Sequence, residues 1–243
     1  MEYQVVPDRD PDWVRPAYRF AQRLITGIFK LLFGLRIEGR ENVPRTGPFI
    51  LVSNHQSWFD PPIIGASCPR EIFYAAKQEL FTTPVLGKLV RFYNSIPVRR
   101  TGFDRRALVS LGNALEAGFG IIIFPEGTRY LSGELHPPRP GVGMLAVRYH
   151  AQVVPVFITG SSYLRRQIYG RKLRVRFGKP FMVDVSVPDR VEQREVYRRA
   201  ADEVMRHIAR TGGVKPPEPI AKRRAVVDSI RGPDVENKNL AGK

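Results

Sequence analysis

Apolar and polar positions fall along this chain in blocks long enough to read as elements. Phe49-Ile50-Leu51-Val52 and residues 119–124 are continuous apolar runs, as expected of strands covered on both faces. Residues 35–38, 71–76, 95–98, 153–158 and 173–177 predict further strands. Helical spacing fills the intervals. Residues 13–33 read as a helix, and another begins around Asp60 and Ile63. Lys77-Gln78-Glu79-Leu80 leads into a third, running toward Tyr93, and a fourth spans 104–117 with Leu108, Leu111 and Leu115 on one side. Residues 144–149 and 190–210 complete the set, the last with Val196, Ala200, Val204 and Ile208 four apart. Strands alternating with helices predict an α/β fold: a single domain whose mostly parallel or mixed sheet is flanked by helices, preceded by an amphipathic N-terminal helix. The expected organisation is a helical region at 1–34, a domain at 35–211 and a flexible basic tail at 212–243, where Pro216, Pro217 and Pro219 mix with scattered charges.

The first helix carries more than fold information. Arg15, Arg19, Arg23 and Lys30 define one side. Val14, Tyr18, Ala21, Leu24, Ile25, Ile28, Leu31 and Leu32 define the other, and the stretch holds no acid. Such a helix suits the interface of an anionic membrane; packing of its apolar side on the domain accounts for the same pattern. No run reaches the roughly 18 apolar residues of a spanning helix. Residues 1–12 contain Glu2, Asp8, Asp10 and Asp12 and no apolar stretch, so no secretory signal is expected there.

Composition narrows the classes. At 243 residues and 43% apolar, the chain can bury a full core. Its one cysteine, Cys68, excludes a disulfide framework and suggests a reducing compartment. With Ala66, Ser67 and Pro69 as neighbours it has no base to activate it and reads as a small core side chain. The net charge is +16; seven basic and four acidic residues from Gly212 onward account for +3, leaving +13 on the body. Nucleic acid, anionic lipid and phosphorylated substrates are all partners that charge alone allows.

Two loops at predicted strand ends hold the candidate chemistry. In Asn54-His55-Gln56-Ser57-Trp58-Phe59-Asp60-Pro61-Pro62, His55 leaves the first apolar strand and Asp60 closes the loop. A carboxylate folded back over the loop would fix the imidazole tautomer and raise its basicity, as a general base requires. Asp60 equally reads as a helix N-cap followed by proline. In Phe124-Pro125-Glu126-Gly127-Thr128-Arg129, Gly127 lets backbone approach a ligand and Arg129 offers a fork for phosphate oxygens. Glu126 either orients that Arg beside a phosphate or simply pairs with it in a polar turn. Ligands of open α/β sheets gather beyond the carboxyl ends of strands, where both loops lie.

Taken together, these segments resemble the glycerolipid acyltransferase family, which includes the 1-acylglycerol-3-phosphate acyltransferases. Four blocks match in order: Asn54-His55-Gln56-Ser57 with Asp60; Ile96-Pro97-Val98-Arg99-Arg100; Phe124 to Arg129; and Val154-Pro155-Val156. The first and third carry the specificity. The resemblance implies that His55 is the general base, supported by Asp60, for direct attack of an acceptor hydroxyl on an acyl thioester. It implies that Arg100 and Arg129 bind the acceptor phosphate, with Glu126, Gly127 and Thr128 shaping that site. The expected substrates are a lysophospholipid, with lysophosphatidic acid foremost, and an acyl-CoA or acyl-carrier-protein donor, with no cofactor or metal. A peripheral place on the cytoplasmic face of the cell membrane follows from the same resemblance. Backbone N–H groups near Gly127 or Val98 are candidate oxyanion donors. Two departures stand out. Arg99 replaces the acid usual before the second-block Arg. Pro138-Arg139-Pro140-Gly141 replaces a lysine pair before glycine, which makes Arg139 the candidate for the missing cation.

Other readings fit less well. Gly141-Val142-Gly143-Met144-Leu145-Ala146 has dinucleotide-fingerprint spacing but follows a proline-rich segment rather than a strand. There is no Gly-x-Ser-x-Gly elbow. His136, His150 and His207 are scattered without ligand spacing and read as surface or structural. The rival from another class is a non-catalytic basic module for anionic membranes or nucleic acid. It explains the charge but not the bracketing of a strand-end loop by His55 and Asp60, and nucleic acid is not the expected partner.

Overall fold

A computed structural model describes residues 6–7, 9–99, 104–164, 173–183 and 192–219. The elements follow in chain order: α1 (Pro16–Phe33), β1 (Arg36–Glu38), β2 (Phe49–Ser53), α2 (Asp60–Ser67), β3 (Ile72–Lys77), α3 (Pro84–Phe92), β4 (Ser95–Val98), α4 (Arg105–Glu116), β5 (Gly120–Ile123), α5 (Gly141–Arg148), β6 (Gln152–Thr159), β7 (Arg174–Phe177) and α6 (Gln193–Gly212). The strands form a seven-stranded sheet in the order β1-β7-β6-β2-β5-β3-β4. Only β6 and β7 pair antiparallel; the other neighbours are parallel. The sheet is therefore mixed, as expected, with helices on both faces.

The apolar runs are continuous because each face has its own core. Along β2, Ile50 and Val52 pack with Leu111, Leu145, Val204 and Ile208 from α4, α5 and α6. Phe49 and Leu51 point the other way, onto Ile63, Ile64 and Cys68, with Phe29 and Phe33 of α1 beside them. The period of two thus sorts a uniformly apolar strand into two layers. Burial pushes the Cys68 thiol up to about 12, so it is an inert core group.

Two predicted boundaries shift for physical reasons. The helix expected over 144–149 begins at Gly141. Gly143 has too little propensity to advertise a helix, yet a Cβ there would collide with backbone of Tyr197 and Ala201, so it lets α5 approach α6 closely. The first helix begins at Pro16, which leaves Arg15 at its cap rather than on the basic side. Arg15 instead turns into the domain. Its backbone N–H and guanidinium, with Arg9 and Asn94, donate to the fully buried Glu71 carboxylate. Burial alone would raise the Glu71 pKa; the hydrogen bonds from Arg15 and Asn94 outweigh it and hold the acid below its usual value.

The apolar side of α1 divides in two. Tyr18 and Gln22 face the domain, and Gln22 donates to the carbonyls of Gly65 and Cys68 while Thr26 bonds that of Ala66. Phe20 (68% exposed), Leu24, Ile28 and Leu31 (84%) face outward. The first set meets the expectation of packing on the domain; the domain leaves the second set uncovered. No helix among the described residues is long and apolar enough to cross a membrane.

Candidate active site

The site begins where β2 and β5 end side by side. The chain leaves β2 over one face, through α2, to reach β3; it leaves β5 over the other, through α5, to reach β6. Connections that diverge from adjacent parallel strands open a crevice at their carboxyl ends. The His55 loop and the Glu126 loop form its two lips.

Asn54 fixes the first lip. Its side-chain amide donates to Ile158 O (3.0 Å) and accepts from Ile158 N (2.8 Å), extending the β2–β6 ladder by one side chain. His55 follows, half-buried, with Nδ1 2.8 Å from Asp60 Oδ2. The same oxygen accepts the backbone N–H of Gln56 (2.6 Å) and of Ser57 (2.7 Å). An oxygen taking two amide protons is an acceptor toward the ring as well, so Nδ1 carries the hydrogen and the neutral ring keeps its lone pair on Nε2. Asp60 thus folds back over the loop. The expected N-cap role is corrected: the cap position falls at Phe59, without a side-chain cap, and Asp60 opens α2. The reason lies in the sequence. Pro61 and Pro62 have no N–H to offer, and Ile63 N already bonds Phe59 O.

Phe124 stacks on the imidazole with centroids 4.1 Å apart and 23° between planes. Tyr130 N donates to His55 O at 2.9 Å, which ties the two lips together. Glu126 is buried, and neither carboxylate oxygen has a hydrogen-bond partner. The polar-turn reading, in which it pairs with Arg129, is therefore corrected. Burial pushes the Glu126 carboxyl up to about 8, against backbone groups of His136 and His55 that favour its charge, and the nearby Asp60 carboxylate pushes it further up. The acid is protonated at neutral pH.

Arg129 lies over Trp58, its guanidinium carbon 3.4 Å from the ring centroid, and Lys77 Nζ lies 4.3 Å from the same ring. One half-exposed indole thus joins cations from the ends of β3 and β5. Gly127 sits at φ 69°, and a Cβ there would strike the Arg139 guanidinium; Arg139 N also donates to Pro125 O at 2.8 Å. Arg139 is consequently held against the third-block loop, with exposed Thr128 at its tip. The Gly127 N–H bonds Phe124 O, so that one amide among those near Gly127 and Val98 is engaged in the turn. Arg99 stands exposed at the end of edge strand β4, and the expectation for Arg100 lies outside the described residues. Among the described residues, no group of three or more His, Cys, Asp or Glu side chains is placed to hold a metal ion.

Sequence reasoning did not single out Lys77, Trp58 or Phe124. Lys77 had a signal: a lone cation closing an apolar strand. The other two had none beyond being aromatic residues in the loops.

Two lips of this kind on such a sheet are an acyltransferase's, and comparison with known proteins agrees. Residues 34–159 match the acyltransferase family, and the chain belongs to it. It is 27% identical over 164 residues to the 1-acyl-sn-glycerol-3-phosphate acyltransferase of Bacillus subtilis, covering 67% of this chain and 81% of that one. It is 31% identical over 170 residues to the mouse 1-acyl-sn-glycerol-3-phosphate acyltransferase alpha, covering 68% and 58%. Its fold matches the crystal structure of the 1-acyl-sn-glycerophosphate (LPA) acyltransferase PlsC from Thermotoga maritima, with a TM-score of 0.63, 26% identity and coverage of 82% and 80%.

Proposed function

We propose that this protein transfers a fatty acyl chain from a thioester donor, acyl-CoA or acyl carrier protein, to the free hydroxyl of 1-acylglycerol 3-phosphate, forming phosphatidic acid. The observation that carries the reading is the His55–Asp60 contact at 2.8 Å on a lip hydrogen-bonded to the Glu126–Arg129 loop. The names of the relatives supply the substrate class.

Each residue has a part in the reaction. His55 Nε2 removes the proton of the acceptor hydroxyl as that oxygen attacks the thioester carbonyl. Collapse of the tetrahedral intermediate forms the ester and expels the thiolate, which takes up the proton from the imidazolium. Asp60 holds Nδ1–H and stabilises the transient imidazolium across 2.8 Å. Phe124 fixes the ring plane. Arg129, Arg139, Lys77 and Arg100 supply charge for the acceptor phosphate, with Gly127 and Thr128 leaving room for it. Protonated Glu126, buried beneath the loop, adds no counter-charge that would compete for the cations.

The lipid substrates reside in a membrane, and the chain is suited to meet them there. The outward apolar residues of α1 enter one leaflet peripherally, and the positive body faces the anionic cytoplasmic surface. Phe59 of the His55 loop packs edge-on against Phe29 of α1 at 6.3 Å, so the helix leads to the site.

An acyl-transfer assay with lysophosphatidic acid and both donor types tests the proposal. His55→Ala should lower turnover by about 10²–10⁴-fold with little change in melting temperature. Near-normal turnover in that variant would falsify the general-base role.

A further inference from the structure

A second concentration of positive charge lies away from the catalytic loops. Arg19, Arg23 and Lys30 fall within about 40° of one another around α1, forming one basic stripe. Arg40 and Arg45, from the turn between β1 and β2, face it. With Glu41 as the only carboxylate among the described lining residues, they border a cleft of about 730 Å³ that Ala66 and Pro69 also line. Asp60 begins α2 at the catalytic loop; Ala66 and Pro69 lie at the other end of that helix, so the cleft is separate from the His55 site.

None of the five cations forms an ion pair among the described residues. Their only side-chain hydrogen bond to a described residue is a long one, from Arg40 Nη2 to Cys68 O at 3.5 Å. Elsewhere the chain pairs its arginines readily: Arg9 and Arg15 with Glu71, Arg70 with Asp12, Arg174 and Arg176 with Glu38. Five unpaired cations around one concavity repel one another and gain from a shared anion. Guanidinium forks on opposite walls match the oxygens of a phosphate.

The position of the stripe on α1 selects the source of that phosphate. Around the helix it lies between the residues packed on the domain, Tyr18 and Gln22, and the outward apolar residues Phe20, Leu24 and Leu31. When the apolar side enters a leaflet, the stripe lies at the depth of the headgroups, where such side chains extend their charges. We infer that this cleft binds the phosphate of an anionic lipid headgroup, separately from the acceptor site. The inference rests on the proposed seating of α1 in a leaflet.

Vesicle co-sedimentation of the full chain tests both and tells them apart. The vesicles are phosphatidylcholine alone, and phosphatidylcholine with added phosphatidylglycerol. The wild type should bind the anionic vesicles more strongly. The R40Q/R45Q variant, with unaltered thermal melting, should lose about tenfold or more of that added affinity while binding neutral vesicles as the wild type does. Removing the same charge from α6, on the opposite face of the sheet, with R206Q/R210Q should leave it intact. Full anionic preference in R40Q/R45Q, or an equal loss in R206Q/R210Q, would overturn the cleft. A soluble arm adds glycerol 3-phosphate at matched phosphate concentration. If it abolishes the preference, the cleft takes free phosphate and the lipid assignment is overturned; an unchanged preference supports the lipid. L24S/L31S reports on the seating alone: wild-type binding of neutral vesicles by that variant removes the membrane reading, whatever R40Q/R45Q does.

Discussion

Glu126 keeps a proton that an exposed glutamate loses, and this has a measurable sign. Its pKa is about 8 in the fold against an ordinary 4.5. Between those values the folded chain binds more protons than the unfolded one, so Glu126 makes stability fall as pH rises from about 4.5 to 8, by up to about 5 kcal/mol. Glu126→Gln should flatten that slope. Melting temperatures across this window check it, and parallel pH profiles for the two proteins would refute the buried protonated acid. The His55–Asp60 contact was readable because it is local: only five positions separate the partners, although the prolines after Asp60 equally suggested a cap. The state of Glu126 was not readable, because its burial comes from segments distant in sequence. The same holds for Phe124 on the imidazole and for Lys77 and Arg129 on Trp58, each brought together only by the sheet order.

At the scale of elements, the His55 loop is an extension of the sheet. Asn54 makes two hydrogen bonds to Ile158, 104 residues away, and both are buried. Asn54→Ala leaves the N–H and C=O of Ile158 without partners and should cost about 2–4 kcal/mol. Chemical denaturation measures this, and a loss below about 1 kcal/mol would mean the loop is held by other contacts. Most elements were legible: β2 and β5 from unbroken apolar runs, α4 and α6 from their spacing. The failures follow from local chemistry. Gly143 hid the start of α5, since a residue chosen for close helix approach is a poor helix former. Arg15 continued a four-residue rhythm past the true start of α1, because periodicity does not reveal that the buried Glu71 binds it.

For the molecule as a whole, the two-sidedness of α1 makes a further prediction. Leu24→Ser with Leu31→Ser should weaken partition onto vesicles by about tenfold or more, since each leucine transfers roughly 1.5–3 kcal/mol. Secondary structure should not change, because neither side chain packs on the domain. Unchanged co-sedimentation would remove the interfacial role. Removing the whole helix is a worse test, since it would also strip Tyr18, Gln22 and Thr26 from contacts with α2 and β3. Those same contacts have a mechanical consequence. The helix is clamped rather than tethered, so with α1 seated as proposed the height of the imidazole above the bilayer is set by the fold. With His55 as the proposed base, the enzyme cannot lower that ring to meet a hydroxyl; each lipid must climb to a stationary one, and the ease of that climb would favour some acceptors over others before any chemistry begins.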